Sequence, residues 1–138
     1  MKSFVLGLIG AIGSGIAYLF GGWDTAVQTL FIFMVIDYFS GLAVAGIFHK
    51  STKTENGALE SKSCWKGLIR KGMTLAIIVV ANLLDMSTGT NYLRDAVCIA
   101  FMMNEVISII ENAGLMGVPI PEPLTNAIEI LKKKDGDS

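Results

Sequence analysis

Charged side chains are scarce in this sequence and absent from long parts of it. Only 17% of the 138 residues are Asp, Glu, Lys or Arg, against about 25% in ordinary soluble domains. The 21 residues from 3 to 23 carry none, and the 24 residues from 25 to 48 carry only Asp37. A stretch of roughly 20 predominantly apolar residues is long enough to cross a bilayer. The distribution of charge therefore predicts an integral membrane protein.

Reactive and metal-binding side chains are also few. The single histidine, His49, is followed by a lysine at the end of an apolar segment. This position does not suggest a general base beside a Ser or Cys nucleophile. Cys64 and Cys98 form no metal-binding spacing, and the sequence has no glycine-rich phosphate loop. A net charge of −1 argues against nucleic-acid binding. We therefore expect no enzyme activity, metal, cofactor or nucleic-acid partner.

Four apolar segments predict an all-α integral membrane protein with four transmembrane helices and a short C-terminal amphipathic helix. The predicted transmembrane domain covers residues 1–112, with spans at about 4–20, 25–48, 68–88 and 92–112. The third span is the weakest, because only 72–84 is free of charge; it reaches spanning length if Arg70 and Lys71 extend to the membrane interface.

The segment 113–138 is predicted to be a cytoplasmic tail. Its prolines at 119, 121 and 123 favour an extended chain. After them Leu124, Ala127, Ile128 and Leu131 fall on one helical face. We expect this amphipathic helix either to lie on the membrane surface or to pack on a neighbouring helix.

The basic residues predict the topology. Short loops rich in Lys and Arg stay in the cytoplasm, and four spans alternate without conflict if both termini are cytoplasmic. Cys64 is then cytoplasmic and Cys98 lies toward the outer leaflet, so we expect no bond between them. The predicted cytoplasmic basic residues are Lys62, Lys66, Arg70, Lys71, Lys132, Lys133 and Lys134.

Two carboxylates, Asp37 and Glu105, lie at predicted membrane depth, where an ionised acid costs about 2.5–3.5 kcal/mol on insertion scales. Glu105 recurs with Ser108 and Asn112 at i, i+3 and i+7, which makes one polar stripe on an apolar helix. These groups either pack helices, line a lumen or carry protons or ions. The predicted pore-lining or helix-packing polar residues are Asp37, Ser40, Asn82, Asp85, Asn104, Glu105, Ser108 and Asn112.

Small residues recur at helical spacing in the first two spans. Small side chains let membrane helices approach closely, where lipid supplies no hydrophobic drive between them. We therefore expect the protein to form homo-oligomers in the bilayer. The predicted packing positions are Gly7, Gly10, Ala11, Ser14, Gly15, Gly41 and Ala45.

Several motifs resemble those of the phage lysis and toxin-secretion holin family. Residues 37–41, Asp-Tyr-Phe-Ser-Gly, resemble its Asp-x-x-Ser/Thr-Gly element, and 59–71 resemble its basic Ser-Lys…Lys-Gly-Leu…Lys-Lys stretch. Residues 104–112 are similar to its Asn-Glu-x-x-Ser-Ile-x-Glu-Asn signature. Residues 117–124 are similar to its Gly-x-Pro-x-Pro-x-x-Leu close.

The resemblance implies a protein that gathers in the bacterial cytoplasmic membrane and opens lesions through which an endolysin, or a large toxin, escapes. The implied partners are the lipid bilayer, further copies of the chain and an antiholin, with the endolysin or toxin as a passenger. Two alternatives remain open: a small ion or proton channel or transporter, and a membrane anchor or antiholin that forms no pore.

Overall fold

The computed structural model describes residues 1–136, with side chains described up to Ile130 and for Lys133. The described chain is all-helical. Its five helices are α1 (Lys2–Leu19), α2 (Thr25–Gly46), α3 (Ser61–Thr88), α4 (Leu93–Leu115) and α5 (Glu122–Gly136).

Turn residues set the boundaries of the long helices. Gly21 and Gly22 follow α1 with φ of 82° and 110°, and Gly89 follows α3 with φ of 73°. These are backbone conformations that glycine adopts without a steric cost. Asp24 then caps α2, because its side chain accepts a hydrogen bond of 3.1 Å from the Val27 N–H.

The third helix begins earlier than the sequence predicts, at Ser61 rather than near residue 68. No glycine or proline interrupts 61–66, so the polar end of the connecting segment continues as helix. Lys62, Lys66 and Arg70 on this extension are exposed. Lys133 is exposed as well, whereas the side chains of Lys132 and Lys134 lie outside the described residues.

Helices α2 and α4 run parallel, and α3 runs antiparallel to both. Arg94 at the start of α4 contacts Asp24 at the start of α2, while Asn112 near the end of α4 contacts Ser40. Asp85 near the end of α3 meets the start of α4. The three helices therefore cover a shared depth.

An apolar layer holds α2, α3 and α4 together. Its buried members are Val27, Leu30, Met34, Ile78 and Cys98. Leu30, Ile78 and Cys98 are fully buried. Cys98 is a free thiol, as is the half-buried Cys64. This layer separates two clusters of polar side chains that form the candidate site.

Helix α1 stands apart from this bundle. All of its residues are exposed except the half-buried Ala17. A Cβ atom added at Gly7, Gly10 or Gly15 would meet nothing within 4 Å. The predicted small-residue face of α1 is therefore unused within the chain. In α2, by contrast, Ala45 is buried.

Three helices, α1, α2 and α3, are long and apolar enough to cross a membrane. Helix α4 is not among them; it carries Arg94, Asp95, Glu105 and Glu111. The structure thus supports three of the four predicted spans by length and composition, and the fourth stays a prediction.

The predicted tail helix is present as α5, beginning between Pro121 and Pro123. Ile128 is buried, and a shallow hollow lies between it and Ile107 and Ile110 of α4. Ile128 of α5 therefore lies beside α4, and both predicted placements of the tail helix stay predictions.

Candidate functional site

Three ionisable side chains from three helices meet in what we call the charge triad: Asp37, Lys71 and Glu105. The Lys71 Nζ donates to Asp37 Oδ2 at 2.6 Å and to both Glu105 carboxylate oxygens at 3.1 Å. The side chains of Lys71, Asp37 and Glu105 are only 18%, 6% and 12% exposed. A single ammonium group therefore links α2, α3 and α4.

Asn112 extends the charge triad along α4. Its Nδ2 donates to Asp37 Oδ1 at 3.1 Å, to the Asp37 backbone carbonyl at 3.2 Å and to Ser40 Oγ at 2.8 Å. The Ser40 hydroxyl in turn donates to the Asp37 carbonyl at 3.1 Å. Asp37 is thus held by a cation on one side and an amide on the other, so both carboxylate oxygens are satisfied.

Helical spacing explains how these residues converge. Asp37 and Ser40 lie three positions apart on one face of α2, and Glu105 and Asn112 lie seven apart on one face of α4. Because α2 and α4 are parallel, the two faces meet in register. The structure places both predicted membrane acids in helix contacts rather than toward lipid.

Lys71 is predicted to extend to the membrane interface, and its depth in the membrane stays a prediction. Its ammonium lies between the two carboxylates, a contact that the sequence does not predict. The physical reason is that two buried acids without a partner cost far more than one lysine held in place. Arg70, the adjacent residue, does remain exposed.

A second group, the Arg94 cluster, comprises Asp24, Asn82, Asp85 and Arg94. Arg94 is 6% exposed. Its guanidinium donates to Asp24 Oδ2 at 2.7 Å and to Oδ1 at 2.9 Å, a bidentate pair. It also donates to the Phe20 carbonyl at 2.8 Å, so it ties the turn after α1 to the bundle.

The predicted polar residues of α3 belong to this cluster. Asp85 accepts from the Leu93 N–H at 3.2 Å and the Arg94 N–H at 2.8 Å, which caps α4 from a neighbouring helix. Asn82 donates to the Leu19 carbonyl at 3.0 Å, which fixes the end of α1.

The electrostatic consequence is clearest at Asp24, which lies between α1 and α2. Hydrogen bonds from Arg94 hold the pKa of the Asp24 carboxyl below its ordinary value, against an opposing effect of burial. The carboxylate is therefore ionised in the folded protein across the physiological pH range.

Sequence reasoning missed Arg94 as a site residue. A usable signal is present in the sequence. Asp24 lies between the first two predicted spans and Arg94 near the start of the fourth, so the four-span topology places these opposite charges at the same side of the membrane.

Two other predicted polar residues are not brought into either cluster. Asn104 is exposed and Ser108 is half-buried. Glu105 and Asn112 point into the bundle, whereas Asn104 and Glu111 lie on the outer side of α4. Among the side chains that the structure describes, no three His, Cys, Asp or Glu residues are arranged to hold a metal ion.

The fold and these two clusters define a helical membrane protein with its ionisable groups paired between helices. Residues 14–133 match the model of the bacteriophage holin family. The chain belongs to this family, which confirms the resemblance seen in the sequence motifs. The family is not an enzyme family.

Similar proteins occur in species of Listeria, Clostridium and Bacillus. The uncharacterized protein Lin0175 of Listeria innocua is 40% identical over 133 residues, covering 96% of this chain and 89% of the relative. An uncharacterized 14.9 kDa protein in the nagH 3' region of Clostridium perfringens is 34% identical, covering 90% and 89%. The uncharacterized protein YqxH of Bacillus subtilis is 30% identical, covering 88% and 81%. No solved structure matches the chain.

Proposed function

We propose that this protein assembles in the bacterial cytoplasmic membrane and opens lesions wide enough for an endolysin, or a large toxin, to pass. The observation that carries the proposal is membership of the bacteriophage holin family, combined with an α1 that is apolar and exposed on nearly every side. The proposed action is cell lysis or protein export without catalysis.

The parallel contacts of α2 and α4 support four spans. If α2 crosses the bilayer, α4 covers the same depth, because it meets α2 both at Asp24 and at Ser40. Its 23 residues extend about 35 Å, longer than a hydrocarbon core of about 30 Å. We place both termini and the 51–60 segment in the cytoplasm, where the lysines concentrate.

This placement puts the charge triad off-centre in the bilayer. Lys71 and Asp85 are 14 residues apart on α3, which corresponds to about 21 Å. With the Arg94 cluster near the outer interface, the charge triad lies toward the cytoplasmic side. The free-energy cost of placing these ionised groups in the bilayer is lowered because they lie away from its centre and because their charges are paired.

The unpartnered α1 supports homo-oligomerisation. Its small-residue face of Gly7, Ala11 and Gly15 contacts no other helix of the same chain. In a membrane, such a face is available to a helix of a second copy. We propose the same face as the binding surface for an antiholin.

Lesion opening requires two packings of similar free energy. In the closed state, the charge triad hides its ionic groups between α2, α3 and α4. In an open ring, the same groups turn toward water, which compensates for the loss of their mutual contacts. The passenger protein needs no stable binding site on either state.

Induced expression in bacteria tests this proposal. Membrane potential and release of a folded cytoplasmic reporter, of the size of an endolysin, are followed in the same culture. We expect an abrupt collapse of potential together with reporter release. Collapse with the reporter retained favours the ion channel. If the potential persists and the reporter is retained, the protein is co-expressed with a known holin. A delay in the lysis caused by that holin then favours the antiholin or anchor.

A further inference from the structure

A cavity of about 80 Å³ is lined by residues of the 51–60 segment at one end and by Asp37 and Lys71 of the charge triad at the other. Its walls come from α2, from the connecting segment, from α3 and from α4. Gly41 and Asn112 lie in its wall beside Asp37 and Lys71, and Cys64 lies nearer the connecting segment. A single water needs about 10–15 Å³ by this measure. The cavity therefore has room for several waters.

One wall residue already requires a water partner. The Thr54 hydroxyl is buried and has no hydrogen-bond partner among the described residues, and Thr54 lines this cavity. A buried hydroxyl without a partner costs about 1–3 kcal/mol. Water in the cavity removes that cost, so the cavity is a wet space rather than an apolar void.

The charges around the cavity do not balance. The charge triad holds two carboxylates and one ammonium group. Lys53 of the connecting segment and Glu60, before α3, also line the cavity; they carry one charge of each sign and so leave its net charge unchanged. One negative charge is left at a depth where unpaired charge is costly. A proton from water compensates it.

We propose that the charge triad is a binding site for one exchangeable proton, reached by water through this cavity from the side of the 51–60 segment only. A hydronium ion from the bulk solution delivers the proton through the cavity waters to an oxygen of Asp37, or past it to Glu105; a carboxylic acid and neutral water result, and the other carboxylate stays paired with Lys71. The opposite side is closed by the apolar layer of Leu30, Ile78 and Cys98.

Cysteine accessibility tests the one-sided path. In a Cys64→Ala/Cys98→Ala background, Gly41→Cys places a thiol in the cavity wall; a Cβ there meets only the Asn112 amide, at 3.8 Å. Phe39→Cys, two residues away, faces outward with 62% exposure and serves as the lipid-facing control. Glu55→Cys marks the side that carries the connecting segment.

A small cationic thiosulfonate is added to right-side-out and inside-out vesicles, at expression levels that keep the membrane potential intact. We expect the thiol of Gly41→Cys to react only from the side at which the thiol of Glu55→Cys reacts. We also expect it to react at least tenfold faster than the thiol of Phe39→Cys. Equal rates for Gly41→Cys and Phe39→Cys, or reaction of Gly41→Cys from the other side, overturn the proposed path.

Infrared spectroscopy in lipid nanodiscs tests the proton itself. At neutral pH we expect a carboxylic-acid C=O band that shifts in D2O. The band should vanish in both Asp37→Asn and Glu105→Gln, since either change leaves a balanced pair with Lys71, and it should persist in the exposed control Glu111→Gln. A wild-type protein without the band contradicts the proposal. Neither test depends on lesion formation, so failure here leaves the proposed function standing.

Discussion

Lys71 of α3 donates a hydrogen bond of 2.6 Å to the Asp37 carboxylate of α2, and the same ammonium lies 3.1 Å from Glu105 of α4. One cation thus neutralises part of the charge on two helices that are not adjacent in sequence. The contact explains how a predominantly apolar bundle tolerates two acids within its helices.

Removing this cation should destabilise the bundle. Replacing Lys71 with Met leaves two buried carboxylates without a cationic partner, and we expect a loss of about 3–5 kcal/mol in the free energy of unfolding. Titration of the protein in mixed micelles with a denaturing detergent measures it.

Two further variants separate charge from packing. Arg70→Met removes the exposed neighbouring cation and should change stability by less than about 0.5 kcal/mol. Adding Asp37→Asn and Glu105→Gln to Lys71→Met should recover much of the loss, since no buried charge remains. A triple variant as unstable as Lys71→Met alone would show that the charge triad is not the cause.

Gly21, in the turn after α1, packs closely against Asn82 and Arg94 of the bundle. It has a φ of 82°, and an added Cβ would lie 2.6 Å from Asn82 Oδ1. We expect Gly21→Ala to displace Asn82 and to loosen the end of α1. Gly22→Ala carries similar backbone strain at φ 110° but meets nothing within 4 Å. Unfolding experiments should therefore rank Gly21→Ala as the more damaging; equal losses argue against the contact.

The Asp24–Arg94 pair should contribute a stability that depends on pH. The folded pKa of Asp24 is lowered, so its contribution is fully present above the unfolded value of about 3.9 and is lost as the pH falls through the folded value. We expect Asp24→Asn to be less stable than the wild type at pH 7 and to approach it as the pH falls below the unfolded value. A difference that does not change over this range contradicts the pairing.

The exposed face of α1 should matter for assembly and not for the fold of one chain. We expect Gly10→Ile/Ser14→Leu to leave the unfolding of the monomer unchanged, while it reduces chemical cross-linking between copies and delays lysis. Ile9→Leu/Ile16→Leu on the opposite face is the matched control. Unchanged cross-linking in the first variant would remove α1 from the assembly surface.

The sequence predicts much of the fold because each membrane helix corresponds to a long run of apolar residues. The helices of residues 2–19 and 25–46 lie close to their predicted spans. The sequence does not predict the start of α3, since the first residues of this helix are polar. Only the lack of glycine and proline there is consistent with a helix. The tail helix was predicted from the spacing of Leu124 and Ile128.

The sequence predicts individual residues of the candidate site but not the contacts between them. Asp37, Glu105 and Asn112 stand out as polar groups in apolar surroundings. Their partner Lys71 does not, because a lysine near a predicted span end is the ordinary pattern at an interface. Arg94 was missed for the same reason. Both pairings depend on helix directions and register, which a single sequence does not encode locally.

The most direct measurement follows endolysin release after induction of the wild-type protein and of the Asp37→Asn/Glu105→Gln variant, at equal amounts in the membrane. If the charge triad sets the balance between closed and open assemblies, the wild type should release endolysin abruptly at a fixed time, and the variant should do so at a clearly different time or never. Release with identical timing in both would contradict the link between the charge triad and lesion formation.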